Sequence, residues 1–248
     1  MVQKVNDPQR ELRELAGALK QILVKEGGSG FFVGGNRSCS PQPVSTIVPH
    51  RPGECEPRES SAYTAPSLAV IQDELGDCTR CGLSQGRNNI VFGEGNPHAD
   101  LVFVGEAPGE QEDRQGKPFV GRAGQLLTKI IEAMGLNRQD VYICNILKCR
   151  PPGNRNPRPE EIVACEPFLI KQLEALQPKV ICALGGFAAK TLLKRDTPIT
   201  VLRGKFHSYR GINLMPTYHP AYLLRNPSAK KQVWDDVQVI MKYLRECD

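Results

Sequence analysis

Four short apolar runs recur after residue 67, and each is apolar throughout rather than alternating with polar residues. The runs cover residues 101–105, 141–145, 180–184 and 212–217. Such runs are typical of strands buried on both faces of a sheet. Apolar positions at helical spacing occupy the neighbouring segments, which are residues 68–75, 124–134, 159–176, 187–193 and 229–246. The alternation predicts a three-layer α/β/α sandwich around a central four-stranded parallel sheet.

The first part of the chain has a different pattern. Residues 1–25 carry leucines and an isoleucine at helical spacing among charges, which predicts an N-terminal helix. Residues 26–66 are dense in Gly, Pro and Ser and show no regular period. That composition buries too little apolar area to offset the entropy of ordering, so it predicts a flexible linker. We therefore expect a folded domain over residues 67–248 behind a mostly disordered extension.

Charge and hydropathy narrow the possible partners. Lys and Arg number 32 against 27 Asp and Glu, so the net charge is +5. This surplus permits a polyanionic partner without requiring one. No apolar run approaches the ~18 residues of a membrane span, and the first residues lack the apolar core of a secretory signal. We expect a cytoplasmic monomer that does not contact membranes.

The nine cysteines need an explanation, because a reducing compartment disfavours disulfides. Cys78 and Cys81 form a C-x-x-C pair, and Cys149 and Cys165 follow far along the chain. Four thiolates suit either zinc or an iron–sulfur cluster, and the spacing does not decide between them. A redox pair is a weaker alternative, since this C-x-x-C does not join a strand to a helix.

Small or polar residues follow each predicted strand. They are Gly105 with Glu106, then Asn145, then Gly185 with Gly186, and finally His219. Parallel strands end at one edge of their sheet, where ligands bind in such folds. Individually Asn145 could cap a turn and His219 could be a buried core residue. The glycine-rich loop 105–113 lacks the Lys-Ser/Thr ending of a phosphate loop and carries four acids, which disfavours a triphosphate site.

Three segments together resemble the family 4 uracil-DNA glycosylases, which are iron–sulfur members of the uracil-DNA glycosylase superfamily. The segments are residues 105–113 with 118–121, residues 145–152, and residues 219–224. The resemblance extends from about Leu68 to Tyr243. It implies the sandwich fold, hydrolytic removal of uracil from DNA to leave an abasic site, and a 4Fe–4S cluster. The implied cluster ligands are Cys78, Cys81, Cys149 and Cys165.

The resemblance also implies a uracil pocket formed by Gly105, Ala107, Phe119, Asn145 and His219. Phe119 would stack on the flipped base, although a core role is the alternative. The Asn145 amide would match N3–H and O4 of uracil, whereas cytosine presents the reverse donor and acceptor pattern. His219 would donate a hydrogen bond to O2, where negative charge develops as the glycosidic bond breaks.

The group that activates water is less clear from the pattern. Ala107 stands where other branches of the superfamily carry a polar residue, often aspartate. Glu106 is the nearest carboxylate, and we expect it to position the water or stabilise the sugar cation. Gly109 stands near the position where other branches have a tyrosine that excludes thymine. Glu112 could replace that tyrosine, or could hold the loop together with Asp113.

For DNA contact, we expect Lys148, Arg150 and Arg225 to bind phosphates and Leu223 to fill the vacated base stack, with Leu224 as the alternate. Each could instead be a surface cation or a core residue. A uracil binder that becomes covalently trapped on DNA is disfavoured, because residues 148–152 continue without the basic insertion of such relatives. A non-catalytic DNA-binding or polymerase-associated module remains the alternative function. The sequence does not identify protein partners of the N-terminal extension.

Overall fold

A six-stranded sheet forms the centre of the computed structural model, which describes residues 66–247. The strands are β1 Glu94–Gly95, β2 Leu101–Gly105, β3 Tyr142–Asn145, β4 Val180–Leu184, β5 His207–Tyr209 and β6 Ile212–Thr217. Their order across the sheet is β1-β3-β2-β4-β6-β5. The predicted N-terminal helix 1–25 and, apart from Pro66, the predicted linker 26–66 lie outside the described residues.

The four central strands confirm the predicted parallel sheet. Strand β2 pairs in parallel with β3 on one side and with β4 on the other, and β4 pairs in parallel with β6. Two short antiparallel strands extend this sheet beyond the prediction, since β1 pairs with β3 and β5 pairs with β6. They contain two and three residues, so their sequences are too short to show a hydrophobic pattern.

Eight α-helices connect and cover the strands within residues 66–247. They are α1 Leu68–Leu75, α2 Glu110–Gln115, α3 Arg122–Ala133, α4 Pro159–Leu176, α5 Gly185–Leu193, α6 Ile199–Leu202, α7 Pro220–Arg225 and α8 Lys230–Glu246. The bounds of α1 and α4 match the prediction, whereas α3 and α5 each begin two residues earlier than predicted. None of the helices in this part of the chain is both long and apolar enough to cross a bilayer.

Alternate residues of the strands face opposite layers of helices, as the pleat of a sheet requires. Phe103, Ile143 and Cys182 point to the face covered by α3 and α8. Val104 and Ile181, with their neighbours on the same face, pack against α4 and α5. The predicted three-layer sandwich is therefore confirmed, with a separate apolar core on each side of the sheet.

Helix α1 brings the C-x-x-C segment against the sandwich. Ser67 caps its first turn by accepting a hydrogen bond from the backbone N–H of Val70 at 3.4 Å. Ile71 and Leu75 share one helical face and pack in an apolar cluster with Phe92 and Phe168, which is a residue of α4. The chain that follows α1 is thereby held beside the helix that carries Cys165.

Candidate active site

The carboxyl ends of β2 and β3 place Gly105 directly beside Asn145. The two residues are register partners, and the Ile146 N–H donates to the Gly105 carbonyl at 3.0 Å. A methyl group added to Gly105 would lie 2.3 Å from the Asn145 Oδ1 and 2.6 Å from the Phe119 Cζ. Asn145 is 2% exposed, and no group in residues 66–247 hydrogen-bonds to its Oδ1. An unsatisfied buried acceptor beside an aromatic ring is a feature expected of a ligand site.

Phe119 reaches this position through an unusual backbone conformation. Its φ is +51°, in the left-handed region. Gly124 in the first turn of α3 allows the Phe119 loop to lie directly against that helix, because a Cβ at position 124 would be only 1.9 Å from the Phe119 carbonyl oxygen. The ring is buried, and its centroid lies 5.6 Å from that of His219 at a tilt of 34°. The structure therefore brings Phe119, Asn145 and His219 together at one edge of the sheet.

His219 lies between the end of β6 and the start of α7. Its Nδ1 accepts a hydrogen bond from the Ala221 N–H at 3.1 Å, which caps α7. This contact places the proton of a neutral ring on Nε2. Burial, with a smaller contribution from the positive charge of Arg225, lowers the pKa of His219 to about 4. The imidazole is therefore a neutral hydrogen-bond donor at physiological pH.

Glu106 and Ala107 follow β2 and are both half-buried. Burial raises the pKa of the Glu106 carboxyl above its usual range. Within the described chain, no hydrogen bond or ion pair satisfies that carboxylate, unlike those of Glu112 and Asp113. Ala107 packs against the core on the α4 side and supplies no polar side chain. Glu106 is therefore the carboxylate that this strand end leaves free for chemistry.

Glu112 and Asp113 both hold loops in place. Glu112 Oε1 accepts hydrogen bonds from the backbone N–H groups of Val120 at 2.9 Å and Gly121 at 2.8 Å, directly after Phe119. Its other oxygen occupies the space beside Gly109, where a Cβ would lie 2.7 Å from Oε2. Asp113 is fully buried and accepts from the backbone and side chain of Asn88 at 2.9 and 2.5 Å.

The four cysteines singled out by the sequence line one pocket between α1, α4 and the chain after β3. Cys78, Cys81, Cys149 and Cys165 are all free thiols. Cys149 lies 3.7 Å from the guanidinium of Arg87, and Cys165 Sγ accepts the backbone N–H of Lys148 at 3.2 Å. Such donors stabilise metal-bound thiolates.

The arrangement of these thiols bears on the type of metal group. Among residues 66–247, no three His, Cys, Asp or Glu side chains are placed to hold one metal ion. A single zinc ion would need its sulfur ligands about 2.3 Å from one point. Four thiols that line one pocket are a suitable donor set for either a zinc ion or an iron–sulfur cluster.

Two residues expected at the DNA surface lie in the interior, and both expectations are wrong. Lys148 is 0% exposed, and its Nζ donates to the Asn145 carbonyl oxygen at 2.7 Å. It therefore has no access to phosphates and instead supports the end of β3. Leu223 is 1% exposed and packs in the core on the α3 side. Its neighbour Leu224 is 41% exposed, so the alternate residue is the one that reaches solvent.

The other two expected phosphate contacts lie nearer the surface. Arg225 is exposed at the end of α7. Arg150 is half-buried, donates to Asn154 Oδ1 at 2.8 Å and lies 3.9 Å from a Glu110 oxygen. Arg225 is thus the freer of the two cations.

Sequence reasoning missed the segment from Arg87 to Asn89. Arg87 NH1 donates to the Cys78 carbonyl at 2.6 Å in addition to its contact with Cys149. Asn88 and Asn89 bind the buried Asp113, which precedes the Phe119 loop. This segment links the cysteine pocket to the loop that carries Phe119. A run of Arg-Asn-Asn shortly after a C-x-x-C pair was its one visible signal.

Comparison with known proteins agrees with this geometry. A family model described as the uracil DNA glycosylase superfamily matches residues 92–238. The chain is 44% identical over 189 residues to the type-4 uracil-DNA glycosylase of Thermotoga maritima. The aligned region covers 74% of this chain and 98% of that protein. It is 45% identical over 187 residues to the type-4 uracil-DNA glycosylase of Saccharolobus solfataricus, covering 72% and 87% respectively. The corresponding protein of Archaeoglobus fulgidus is 43% identical over 182 residues, covering 70% and 92%.

The sandwich fold, the edge site and the matching family model define the class: the chain belongs to the uracil-DNA glycosylase superfamily. Within that class its similarity is to type 4 proteins over nearly their whole length. The resemblance to family 4 that the sequence motifs indicated is therefore confirmed.

Proposed function

We propose that the chain removes uracil from DNA by hydrolysing the bond between the base and deoxyribose. The observation that carries this proposal is the convergence of Gly105, Phe119, Asn145 and His219 at the carboxyl edge of the sheet. A base inside a duplex cannot reach such a pocket, so the nucleotide must be flipped out of the stack. The similarity to type 4 uracil-DNA glycosylases supports the same activity.

Asn145 gives the pocket its preference for uracil. Its Oδ1 is buried and unsatisfied, and uracil N3–H would supply the missing donor while the amide N–H bonds O4. Cytosine would place an acceptor against Oδ1 and a donor against the amide NH₂. A buried mismatch of this kind leaves polar groups unpaired, which a pocket built for hydrogen bonding rejects strongly. Phe119 would stack on one face of the base.

His219 stabilises the departing base. When the bond between C1′ and N1 breaks, its electron pair moves onto the uracil ring, and the O2 oxygen gains negative charge. A neutral Nε2–H directed at O2 interacts more strongly with that anion than with ground-state uracil. The low pKa of His219 suits this role, because the group donates a hydrogen bond without carrying a full charge.

Glu106 acts on the sugar side of the bond. Its carboxylate stabilises the oxocarbenium-like sugar and accepts a proton from the water whose oxygen adds to C1′. That proton passes on to the released uracil anion, which balances the hydrolysis. Burial raises the pKa of Glu106 and makes it a stronger base than an exposed glutamate.

We further propose that Cys78, Cys81, Cys149 and Cys165 hold a 4Fe–4S cluster. The shared pocket and the N–H donors at Cys149 and Cys165 support this assignment. Hydrolysis involves no electron transfer, so a cluster held by these cysteines would serve as a rigid cross-link between segments of the chain. Iron and sulfide analysis of the purified protein, together with its visible absorbance, tests the assignment against zinc.

A base-release assay tests the activity. Full-length protein is incubated with matched oligonucleotides that carry U, T, hypoxanthine or C at one position, and abasic sites are then cleaved with alkali. We expect cleavage at U and none at T or C. Binding to the U oligonucleotide without release of the base would contradict the proposed activity and favour the non-catalytic module.

A further inference from the structure

A buried ion pair contacts the segment of chain that leads into His219. Arg203, directly after α6, binds both carboxylate oxygens of Asp236 on α8. Its Nε donates to Oδ2 at 3.1 Å, and its NH2 nitrogen donates to Oδ1 at 2.6 Å. The side chain of Asp236 is 1% exposed and that of Arg203 is 17% exposed. The excision chemistry proposed above gives this pair no role.

The carboxylate of the pair holds the end of β6. Thr217 is the last residue of that strand and is buried, and its hydroxyl donates to Asp236 Oδ2 at 2.5 Å. His219 follows two residues later. The hydrogen bond therefore ties the start of the His219 segment to α8, which lies outside the base site.

The guanidinium of the pair holds the next residue. The Arg203 Cζ lies 5.4 Å from the centre of the Tyr218 ring, in the arrangement of a cation over an aromatic face. Tyr218 also stacks on Tyr222 of α7, with 4.9 Å between the ring centres. The residue before His219 and a residue in the helix after it are thus joined to the same charged group.

Stability alone does not account for a charged pair at this depth. Well-packed apolar residues in place of a buried ion pair are often as stabilising or more so, and the better attested use of such a pair is to select one arrangement of the chain. Apolar packing has no direction, whereas the hydroxyl of Thr217 must point at Asp236 to be satisfied. The pair therefore specifies where the end of β6 lies.

His219 needs such an external reference. Its Nδ1 accepts from the Ala221 N–H, which lies in the same segment, so this contact orients the ring relative to α7 only. The stabilisation that an N–H gives to a developing oxyanion depends on its distance from that oxygen. A displacement of about 1 Å in a reacting arrangement can cost about 100-fold in rate.

Building on the proposed uracil excision, we propose that Arg203, Asp236 and Thr217 are positioning residues for His219. They hold the His219 segment so that the Nε2–H of the imidazole meets O2 of the departing uracil. They act through His219 and not on the base itself.

The first test removes the hydroxyl that joins β6 to the ion pair. Thr217→Val keeps a branched side chain, and in single-turnover assays of the full-length protein we expect the maximal rate of uracil release to fall about 10- to 100-fold. The protein concentration that gives half the maximal rate should not change, because Thr217 does not hold DNA. Thr217→Ser restores a hydroxyl and should keep most of the rate. Glu174→Gln, which removes a surface ion pair with Arg210, is the control and should match the wild type.

A double variant separates positioning from a general loss of stability. In a His219→Ala background, Thr217→Val should change the rate by less than about twofold, because the group that it positions is gone. A second loss as large as the first, or a wild-type rate for Thr217→Val alone, overturns the proposal. If Thr217→Val does not fold, Arg203→Lys takes its place in the same comparison, since lysine cannot make the two-bonded contact with Asp236.

The ring signals of His219 give a measurement that needs no activity. In nitrogen-15 NMR spectra of the imidazoles, the His219 signals are identified by their loss in His219→Ala. They should shift in Thr217→Val and coincide with the wild-type signals in Glu174→Gln. If the wild-type protein releases no uracil, the proposed function fails, while these spectra still decide the positioning role. Identical His219 signals in Thr217→Val and the wild type overturn it.

Discussion

At the scale of the residue, the proposed preference for uracil depends on one buried oxygen, Asn145 Oδ1. Leaving a buried acceptor without a donor costs about 1–3 kcal/mol, so a base that supplies a donor to Asn145 Oδ1 gains a contribution of that size over one that does not. The contribution is realised when a base with a hydrogen at N3 enters. The backbone of Asn145 is held in place, because its main-chain carbonyl oxygen accepts a hydrogen bond from the Nζ of buried Lys148. Specificity thus rests on a side chain whose backbone is itself anchored.

Replacing Asn145 with Asp should reverse part of this preference. The carboxylate has no N–H to donate to uracil O4, whereas it can accept from the amino group of cytosine. We expect uracil release to fall roughly 10- to 100-fold, which corresponds to the cost of one unpaired buried group, and some cytosine release to appear. Single-turnover assays on U and C oligonucleotides measure both rates. An unaltered substrate profile would remove Asn145 from this role.

The contribution of His219 to the rate of uracil release should be the same across the neutral pH range. Its pKa is lowered to about 4 by burial, so the ring stays neutral from pH 8 down to about 5 and gains a proton only as the pH falls further. The ratio of the wild-type rate to that of His219→Ala should therefore be constant between pH 5 and 8. Taking the ratio cancels the titration of Glu106, which both proteins share. A ratio that changes near pH 6.5 would show that His219 titrates as an exposed imidazole.

Lys148 should matter for stability rather than for DNA affinity. Lys148→Met keeps much of the side-chain volume but leaves the Asn145 carbonyl without its donor. We expect the free energy of unfolding to fall by about 1–3 kcal/mol, measured by denaturant titration. Lys171→Met, which removes a surface ion pair with Glu74, is the control and should cost less than about 1 kcal/mol. Equal losses in the two variants would contradict the structural role of Lys148.

The residues whose positions the sequence predicted wrongly have two different explanations. Leu223 and Leu224 are adjacent, and which of them faces solvent depends on how helix α7 is rotated about its axis. The helix has only six residues, so its hydrophobic pattern is too short to predict that rotation. Lys148 follows a buried strand, and a lysine there is ordinarily exposed. Its burial depends on a partner, the Asn145 carbonyl, that becomes visible only in three dimensions.

At the scale of the element, the loop before α3 is shaped by contacts at both of its ends. Glu112 on α2 binds the two N–H groups after Phe119, and Arg138 donates to the Pro118 carbonyl just before it. Gly124 leaves room for the left-handed Phe119 backbone. The Phe119 ring, which we propose stacks on the base, is thereby fixed in position in advance, and this lowers the ordering cost of binding.

Loss of the Glu112 carboxylate should loosen this loop. Glu112→Ala removes the acceptor for Val120 and Gly121, and we expect kcat/KM for uracil release to drop by about 10- to 100-fold from two lost hydrogen bonds. Glu112→Gln retains an oxygen that can accept both N–H groups, so it should keep most of the activity. Steady-state assays on a uracil oligonucleotide compare the variants. A glutamine variant as impaired as the alanine variant would indicate that the charge matters, not the loop contact.

The elements themselves were predictable to different degrees. Strands β2, β4 and β6 are continuous apolar runs whose bounds the sequence predicted, because burial on both faces imposes that pattern. Strands β1 and β5 could not be predicted, since each is defined by pairing to a neighbour. The placement of Asn145 and His219 at the same edge of the sheet followed from the general geometry of parallel sheets, whereas the position of Phe119 between them depends on the folded loop.

At the scale of the whole molecule, a chain of contacts links the cysteine pocket to the proposed base site, which is formed by Gly105, Phe119, Asn145 and His219. Arg87 contacts Cys149, its neighbour Asn88 binds Asp113, and Glu112 next to Asp113 holds the Phe119 loop. Lys148 forms a second link, because its backbone contacts Cys165 and its side chain contacts Asn145. Disturbance of the pocket should therefore reach the base site.

Cys149→Ser tests this link. We expect loss of visible absorbance and iron, a lower thermal midpoint, and weaker uracil release. Cys182→Ala is the control, because Cys182 is buried in β4 and does not line the pocket. It should keep its colour and iron despite a modest loss of stability from the small cavity. Full iron content in Cys149→Ser would contradict the assignment of Cys149 as a ligand.

The two short outer strands have a consequence for how copies of the protein meet. Within residues 66–247, each flank of the sheet ends in a short antiparallel strand, β1 or β5, which pairs with the first part of β3 or β6. Each outer strand offers a neighbouring molecule only two or three residues of backbone, which is too few to seed intermolecular strand addition. The folded domain should accordingly tolerate high concentration without forming cross-β aggregates from its native state.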